Sequence, residues 1–346
     1  MTKILIVRFS ALGDVAMTIP VIASFAVQYK DCQICILTRK PFLPLFLNLP
    51  PNVSVMGVDL KYEYKGLAGI LRLAQKLKHE RFDCMIDLHS VVRSKIIRMF
   101  LSFFGVKSAS IDKGRREKKL LTQSNNKEFK QLKSSFDRYY DVFKQLGFTF
   151  EYSFSSIFSE NQPNDISFLS DQWEAKNTNQ WVGIAPFAKH EGKILPLSKT
   201  EQIIDYLSKK DNVRILLFGG GSTEKEITEK WQERYKNTFS LTGKFSLQQE
   251  LLIISVLDVM MSMDSANMHL ASLVNVPVVS VWGATHPYAG FLGWNQSNKN
   301  IIQSDMQCRP CSVYGQKPCY RKDYACMNHL EIQSITNVIE QNLSKT

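Results

Sequence analysis

Several groups of residues in this chain have types and spacings that could do chemistry. The first closes the stretch Lys3-Ile-Leu-Ile-Val-Arg-Phe-Ser-Ala-Leu-Gly-Asp-Val15. Its apolar run, Ile4 to Val7, reads as a parallel strand covered on both faces. A tight turn through Ser10 and Gly13 follows, then a helix from Val15 to Tyr29. Gly13 permits close approach of a ligand. Asp14 falls where the first helical amides point outward, in a field that keeps a carboxylate ionised. It also falls at the end of a strand where open α/β sheets bind ligands. The same position suits a carboxylate that only caps its helix.

A second group is Asp264-Ser265-Ala266-Asn267-Met268-His269, placed after an apolar strand that ends at Met263. Asp264 and Ser265 offer helix caps, and free amides at such an end bind phosphate. His269 lies close enough to donate to a phosphate oxygen. A capped core helix with a satisfied histidine fits the same residues. A third group, Lys189, His190 and Lys193, sits on the loop between Pro186 and Pro196. Two lysines there could neutralise a departing diphosphate, or simply be solvated. Gly219-Gly220-Gly221 with Glu224 supplies only the first two glycines of a dinucleotide fingerprint, and no Walker lysine accompanies it. That weakens a dehydrogenase reading. Among the cysteines, Cys308 and Cys311 have metal-ligand spacing, but Cys319 and Cys326 are too far apart for the usual zinc ribbon. Packing thiols are expected there rather than structural zinc, and no metal is assigned.

These side chains need a scaffold, and the pattern around them supplies one. Strands are expected at Lys3–Arg8, Gln33–Leu37, Val53–Val58, Phe82–Leu88 and Ser108–Ile111. Between them, helical stripes such as Leu67, Ile70, Leu71, Ala74 and Leu77 recur at 3.6 spacing. Alternation of this kind means βαβ units and a parallel sheet. The polar stretch Glu151–Gln180 reads as a linker. A second alternating set follows, with strands at Trp181–Pro186, Val213–Phe218, Phe239–Leu241, Val259–Met263 and Val276–Trp282. A last helix, Leu330 to Leu343, is placed to cross back to the first domain.

Charge and composition narrow the partners. The 346 residues suffice for about two domains, and Lys plus Arg exceed Asp plus Glu by 43 − 32 = 11. A basic chain favours a polyanionic partner. Lys107 to Arg138 holds ten Lys/Arg against four Asp/Glu, with Arg115, Arg116, Lys118 and Lys119 clustered beside the apolar Met99–Val106 patch. This reads either as a solvated loop or as a segment that meets an anionic acceptor at a membrane surface. The cluster lacks the interleaved aromatics of a nucleic-acid binder. No signal peptide or transmembrane helix is predicted. The best apolar stretch, Val91 to Val106, is interrupted by Arg93, Lys95 and Arg98. Seven cysteines without a secretion signal suggest a reducing cytoplasm.

Taken together, the chain resembles the ADP-heptose–lipopolysaccharide heptosyltransferases of glycosyltransferase family 9. The resemblance rests on Arg8-Phe-Ser-Ala-Leu-Gly-Asp14, the Pro186…Lys193…Pro196 loop, Leu241-Thr-Gly-Lys-Phe245-Ser-Leu247, Met263 to Ala271, Val278 to Pro287, and Cys308-x-Pro-Cys311. It implies a GT-B type fold of two Rossmann-like doubly wound domains facing a cleft. The acceptor domain would span 1–165, the nucleotide-sugar domain 166–329, and the terminal helix 330–346. It implies inverting transfer of heptose from ADP-heptose to the Kdo or heptose of the lipopolysaccharide inner core, without a catalytic metal or cofactor, at the cytoplasmic face of the inner membrane. Asp14 would be the general base. Lys193 would hold the diphosphate, Asp264 the heptose hydroxyls, and His269 with its helix end the phosphates. Lys189, Gly219, Gly220, Phe245, Ser265, Ala266 and Met268 would complete the donor site. Ser10, Gly13, Arg115, Arg116, Lys118 and Lys119 would serve the acceptor. Ala266-Asn267 stands where the family often has Gly-Pro, and Leu195 where it often has tryptophan. Another nucleotide sugar, or a non-catalytic nucleotide-sugar-binding protein, are the alternatives.

Overall fold

The computed structural model describes residues 1–158, 165–169 and 179–344. The chain divides into two compact units, Met1–Gly114 with Lys133–Ser159, and Arg115–Leu132 with Glu160–Thr346.

The first unit is built on β1 (Lys3–Val7), α1 (Leu12–Ala16), α2 (Ile19–Gln28), β2 (Gln33–Arg39), β3 (Val53–Val58), α3 (Gly66–His79), β4 (Cys84–Asp87), α4 (Val92–Ser102) and β5 (Lys107–Ser110). After α5 (Arg115–Thr122), which groups with the second unit, α6 (Ser135–Lys144) completes it. The sheet runs β3-β2-β1-β4-β5, with every pairing parallel. β1 is its centre, so Ile4 to Val7 are fully buried, as an unbroken apolar run requires. The helix expected from Val15 to Tyr29 is broken at Met17-Thr18. Pro20 has no amide to continue the hydrogen-bond ladder, so it starts a new helix instead. α3 buries Ile70, Leu73, Ala74 and Leu77, a stripe at helical spacing.

The second unit contains β6 (Gln180–Ala185), α7 (Leu197–Ser208), β7 (Val213–Leu217), α8 (Ser222–Arg234), β8 (Thr238–Ser240), α9 (Leu247–Ser255), β9 (Val259–Met263), α10 (Ala266–Leu273), β10 (Val278–Trp282), β11 (Ile301–Gln303), α11 (Ala325–Asn328) and α12 (Ile332–Leu343). Its sheet is also parallel throughout, in the order β11-β10-β9-β6-β7-β8. These are the two parallel α/β domains of a GT-B type fold.

Two boundaries differ from the sequence expectation. The basic stretch Arg115–Leu132 groups with the second unit, not the first. Leu121 and Leu132 pack on Ala289, and the Leu132 amide donates to the Tyr288 carbonyl at 2.9 Å. The terminal helix stays with the second unit as well. In α12, Ile335, Ile339 and Leu343 enter that unit's core, and Glu340 pairs with Lys210 at 2.7 Å. The expected linker at Glu151–Gln180 lies in large part outside the described residues.

Candidate active site

In the first unit the chemistry gathers at the carboxyl edge of the sheet. Arg8 follows β1 and is buried. Its guanidinium donates to the Leu88 carbonyl at 2.6 Å and the Ser10 carbonyl at 2.9 Å, and pairs with Asp14 at 2.9 Å. The Arg8 side chain is 8% exposed and that of Asp14 37%. A solvent-facing carboxylate therefore rests on a sequestered cation, and an opposite charge so close favours its ionised form. Asp14 also accepts the Ala11 amide at 3.1 Å, so it caps its own helix while part of the carboxylate faces solvent. The Tyr139 hydroxyl donates to the Asp14 carbonyl at 3.3 Å, fixing α1 from the side of α6.

His89 joins this group because β4 lies beside β1. The Phe9 amide donates to its Nδ1 at 3.3 Å, which assigns the ring proton to Nε2, facing Ser10 Oγ at 3.4 Å. Burial, reinforced by the charges of Arg8 and Lys113, pushes His89 down to about 3. The ring is neutral at physiological pH. Asp87 orders the turn that carries it, accepting the His89 and Ser90 amides at 3.0 and 2.7 Å and the Ser94 hydroxyl at 2.9 Å.

In the second unit the carboxyl ends of β6, β9 and β10 bring a second set together. Lys193 Nζ meets Asp264 Oδ2 at 3.0 Å, with the two side chains 15% and 7% exposed. The pair forms because β6 and β9 are neighbours, so the loop after one meets the turn after the other. Backbone packing holds the lysine loop. The Ala284 amide donates to the Gly192 carbonyl at 2.7 Å, and a Cβ on Gly283 would lie 2.5 Å from that oxygen. Gly315, at φ +81°, lets the chain run along the Lys193 stem, where a Cβ would sit 2.5 Å from Lys193 Cγ. Glu191 accepts the Tyr324 hydroxyl at 2.9 Å. Arg309, almost wholly buried, donates to the Trp282 and Thr285 carbonyls at 3.0 Å each, and to that of Gly283. It thereby shapes the turn after β10.

The remaining expected residues distribute as follows. Asp264, Met268 and His269 are buried, and Ser265 and Ala266 are half-buried at the start of α10. Ser265 is the N-cap residue of that helix, but its side chain makes no capping hydrogen bond; its Oγ lies 3.3 Å from Ser262 Oγ. Lys189 is exposed on the loop after β6. The Gly220 amide is already taken by Glu224 Oε2 at 2.6 Å, and a Cβ on Gly219 would crowd the Phe187 ring at 3.1 Å. Phe245 stacks edge-on with Phe168 at 5.8 Å. In the first unit, Ser10 and Gly13 sit at the Asp14 turn.

The basic cluster needs correction. Arg115, Arg116 and Lys119 are exposed, but Lys118 is buried with its ammonium 4.2 Å from the Phe291 ring centre. Lys118, Leu121 and Thr122 share one helical face, and that face packs inward. Lys127 is also turned inward. Its ammonium donates to the carbonyls of Gln307, Cys308, Arg309 and Pro310 at 2.9–3.2 Å. All seven cysteines are free, and among the described residues no three His, Cys, Asp or Glu side chains are placed to hold a metal ion.

Sequence reasoning missed His89, Tyr139 and Arg309. For His89 a signal existed: it directly follows the β4 run, at the same sheet edge as Asp14. Arg309 carried no such signal.

Comparison with known proteins places this arrangement. Over 98% of both chains, the protein is 25% identical to lipopolysaccharide heptosyltransferase 1 of Campylobacter coli. Its fold matches the glycosyl transferase family 9 protein of Veillonella parvula with a TM-score of 0.76 at 16% identity, covering 100% of this chain and 98% of that one. It matches the ADP-heptose LPS heptosyltransferase II of E. coli with a TM-score of 0.72 at 15% identity, covering 99% of each. The model of glycosyltransferase family 9 (heptosyltransferase) matches residues 70–320, a span that runs from α3 through the lysine loop and the Asp264 turn to the cysteine-bearing tail. The protein is a glycosyltransferase and belongs to glycosyltransferase family 9.

Proposed function

We propose that the protein moves heptose from ADP-heptose to a sugar hydroxyl of the lipopolysaccharide inner core, with inversion and without a catalytic metal. The observation that carries this reading is the Asp14 carboxylate, exposed at the end of β1 and held on the buried Arg8 guanidinium at 2.9 Å. A general base must be ionised, accessible and fixed, and a part-exposed carboxylate held against a buried guanidinium supports that role for Asp14. The acceptor oxygen would attack the anomeric carbon while the carbon–oxygen bond to ADP breaks. Its proton would pass to Asp14, and ADP would leave as the anion. Lys193 has three donors and gives one to Asp264; the others, with the first amides of α10, would stabilise the departing diphosphate. Asp264 would accept heptose hydroxyls. The names of the curated relative and of the E. coli structure support the sugar and the lipopolysaccharide acceptor.

Arg115, Arg116 and Lys119 remain candidates for the acceptor's phosphates and carboxylates; Arg115→Glu with Arg116→Glu would then raise the acceptor KM. Among the described residues no helix is long and apolar enough to cross a membrane. Action at the cytoplasmic surface of the inner membrane fits that acceptor. The test is mass-spectrometric detection of product from ADP-heptose and a deacylated core, with Asp14→Asn alongside. Product from the wild type and a loss of about 10²-fold or more in the variant support both sugar and base. Thermal stabilisation by ADP without product would redirect the search to other nucleotide sugars. Unaltered turnover in Asp14→Asn would remove the base assignment.

A further inference from the structure

Six exposed apolar side chains of the first unit gather on one pair of helices. Leu67 and Leu71 on α3, and Val92, Met99, Phe103 and Phe104 on and after α4, are all exposed, Val92 at 73% and Phe103 at 80%. The two helices pack side by side. At their N-terminal ends Leu67, Ile70, Val92, Arg93 and Ile96 line one groove. At their C-terminal ends Lys78 lies 3.7 Å over the Phe104 ring, which packs on Phe100 at 5.3 Å. The exposed residues thus follow the seam between the helices from end to end.

The charge carried by the two helices themselves has one sign. α3 and α4 carry Arg72, Lys76, Lys78, Arg93, Lys95 and Arg98, and neither contains an Asp or Glu. Glu80, which ends α3, is engaged by Lys3 at 2.9 Å. An apolar strip on two helices that carry six Lys or Arg and no acid is a poor fit to a second copy of itself, because like charges would be brought together. It does fit an anionic lipid surface, where the rings enter the interface and the cations meet lipid phosphates.

We propose that the α3–α4 seam is the surface by which the protein docks on an anionic phospholipid bilayer. For its purpose this rests on the transferase reading, but its binding test does not. α4 begins three residues after His89, whose ring meets Ser10 beside the Asp14 turn. Docking through Val92 and Arg93 therefore holds the general-base turn at the bilayer surface, where a lipid-anchored acceptor presents its sugars. The contact differs from the basic 115–132 segment, which belongs to the other unit.

The experiment is vesicle co-sedimentation of the full chain with phosphatidylglycerol-containing vesicles and with pure phosphatidylcholine vesicles, at low and high salt. Binding should need the anionic lipid and weaken with salt. Lys95→Glu with Arg98→Glu should lower partitioning by about tenfold or more, since each cation near such a surface contributes roughly fivefold. Met99→Ser with Phe103→Ser should lower it comparably, with an unchanged melting curve because both side chains are exposed. Turnover of a deacylated, soluble acceptor should be untouched in both variants. Wild type that ignores anionic vesicles, or variants that bind as well as wild type, would overturn the proposal. So would a wild-type dimer in sedimentation that Met99→Ser with Phe103→Ser dissociates, since the strip would then be a contact between copies. Vesicle binding without any turnover would leave this surface standing and defeat the transferase reading instead.

Discussion

The Lys193–Asp264 pair yields the most discriminating prediction, because the two residues have separate proposed roles and a shared structural one. At 3.0 Å, and with an effective dielectric of about 20, their attraction is about 5 kcal/mol. Part of that offsets the desolvation of two charges with little solvent contact. Removing one partner leaves the other buried and uncompensated, so Lys193→Met and Asp264→Leu should each destabilise the protein by about 3–5 kcal/mol. Removing both leaves an apolar contact of similar volume, so the double variant should return to within about 1 kcal/mol of wild type. Urea denaturation of the four proteins gives the cycle. Turnover and melting shifts with ADP, read on the same samples, separate structure from function. The double variant should be folded and inactive, with the ADP shift gone. If the singles cost no more than about 0.5 kcal/mol, or if their losses simply add, the pair is not the buried ion pair inferred here. A stable double variant with full turnover would remove both residues from the active site.

Three further outcomes are expected. Lys127→Met should cost about 2–4 kcal/mol in urea denaturation, because the carbonyls of residues 307 to 310 lose a shared cationic donor; a change near zero would show that those carbonyls are content without it. His89 is pushed down to about 3 in the folded protein against an ordinary value of 6.5, so the unfolded chain binds its proton first. Stability should therefore fall as pH drops below 6.5, by up to about 1.4 kcal/mol per pH unit from this residue, and His89→Gln should remove that slope. Burial pushes the Glu250 carboxyl up to about 7. The folded state then holds a proton that the unfolded state releases, so stability is lost as pH rises towards 7. From an ordinary value of 4.5, Glu250→Gln should raise stability by about 3 kcal/mol at pH 8 and by less than about 1 kcal/mol at pH 5; an equal effect at both would rule out the titration.

The sheet scaffold was legible because it depends on local patterns. Apolar runs such as Ile4–Val7 and Val259–Met263 need cover on both faces, and stripes such as Ile70, Leu73 and Leu77 need one covered face. Those requirements specify strand and helix before any partner is known. Asp14 was legible for the same reason, since the end of a central strand and the start of a helix are both readable in the chain. The break at Met17-Thr18 was foreseeable from Pro20.

What only the tertiary structure decided are the meetings between loops remote in sequence. Strand order is not written in any single strand: β6 lies beside β9, and β1 beside β4, because crossovers can place a parallel strand on either side of its predecessor. That order joins Lys193 to Asp264 and brings His89 to Ser10. Packing likewise decided that Lys118 and Lys127 turn inward while Arg115 and Arg116 remain outside, although all four read alike as a basic run. A charge count records how many cations a segment carries; whether each meets water, a ring face or a set of carbonyls depends on which helical face another element covers.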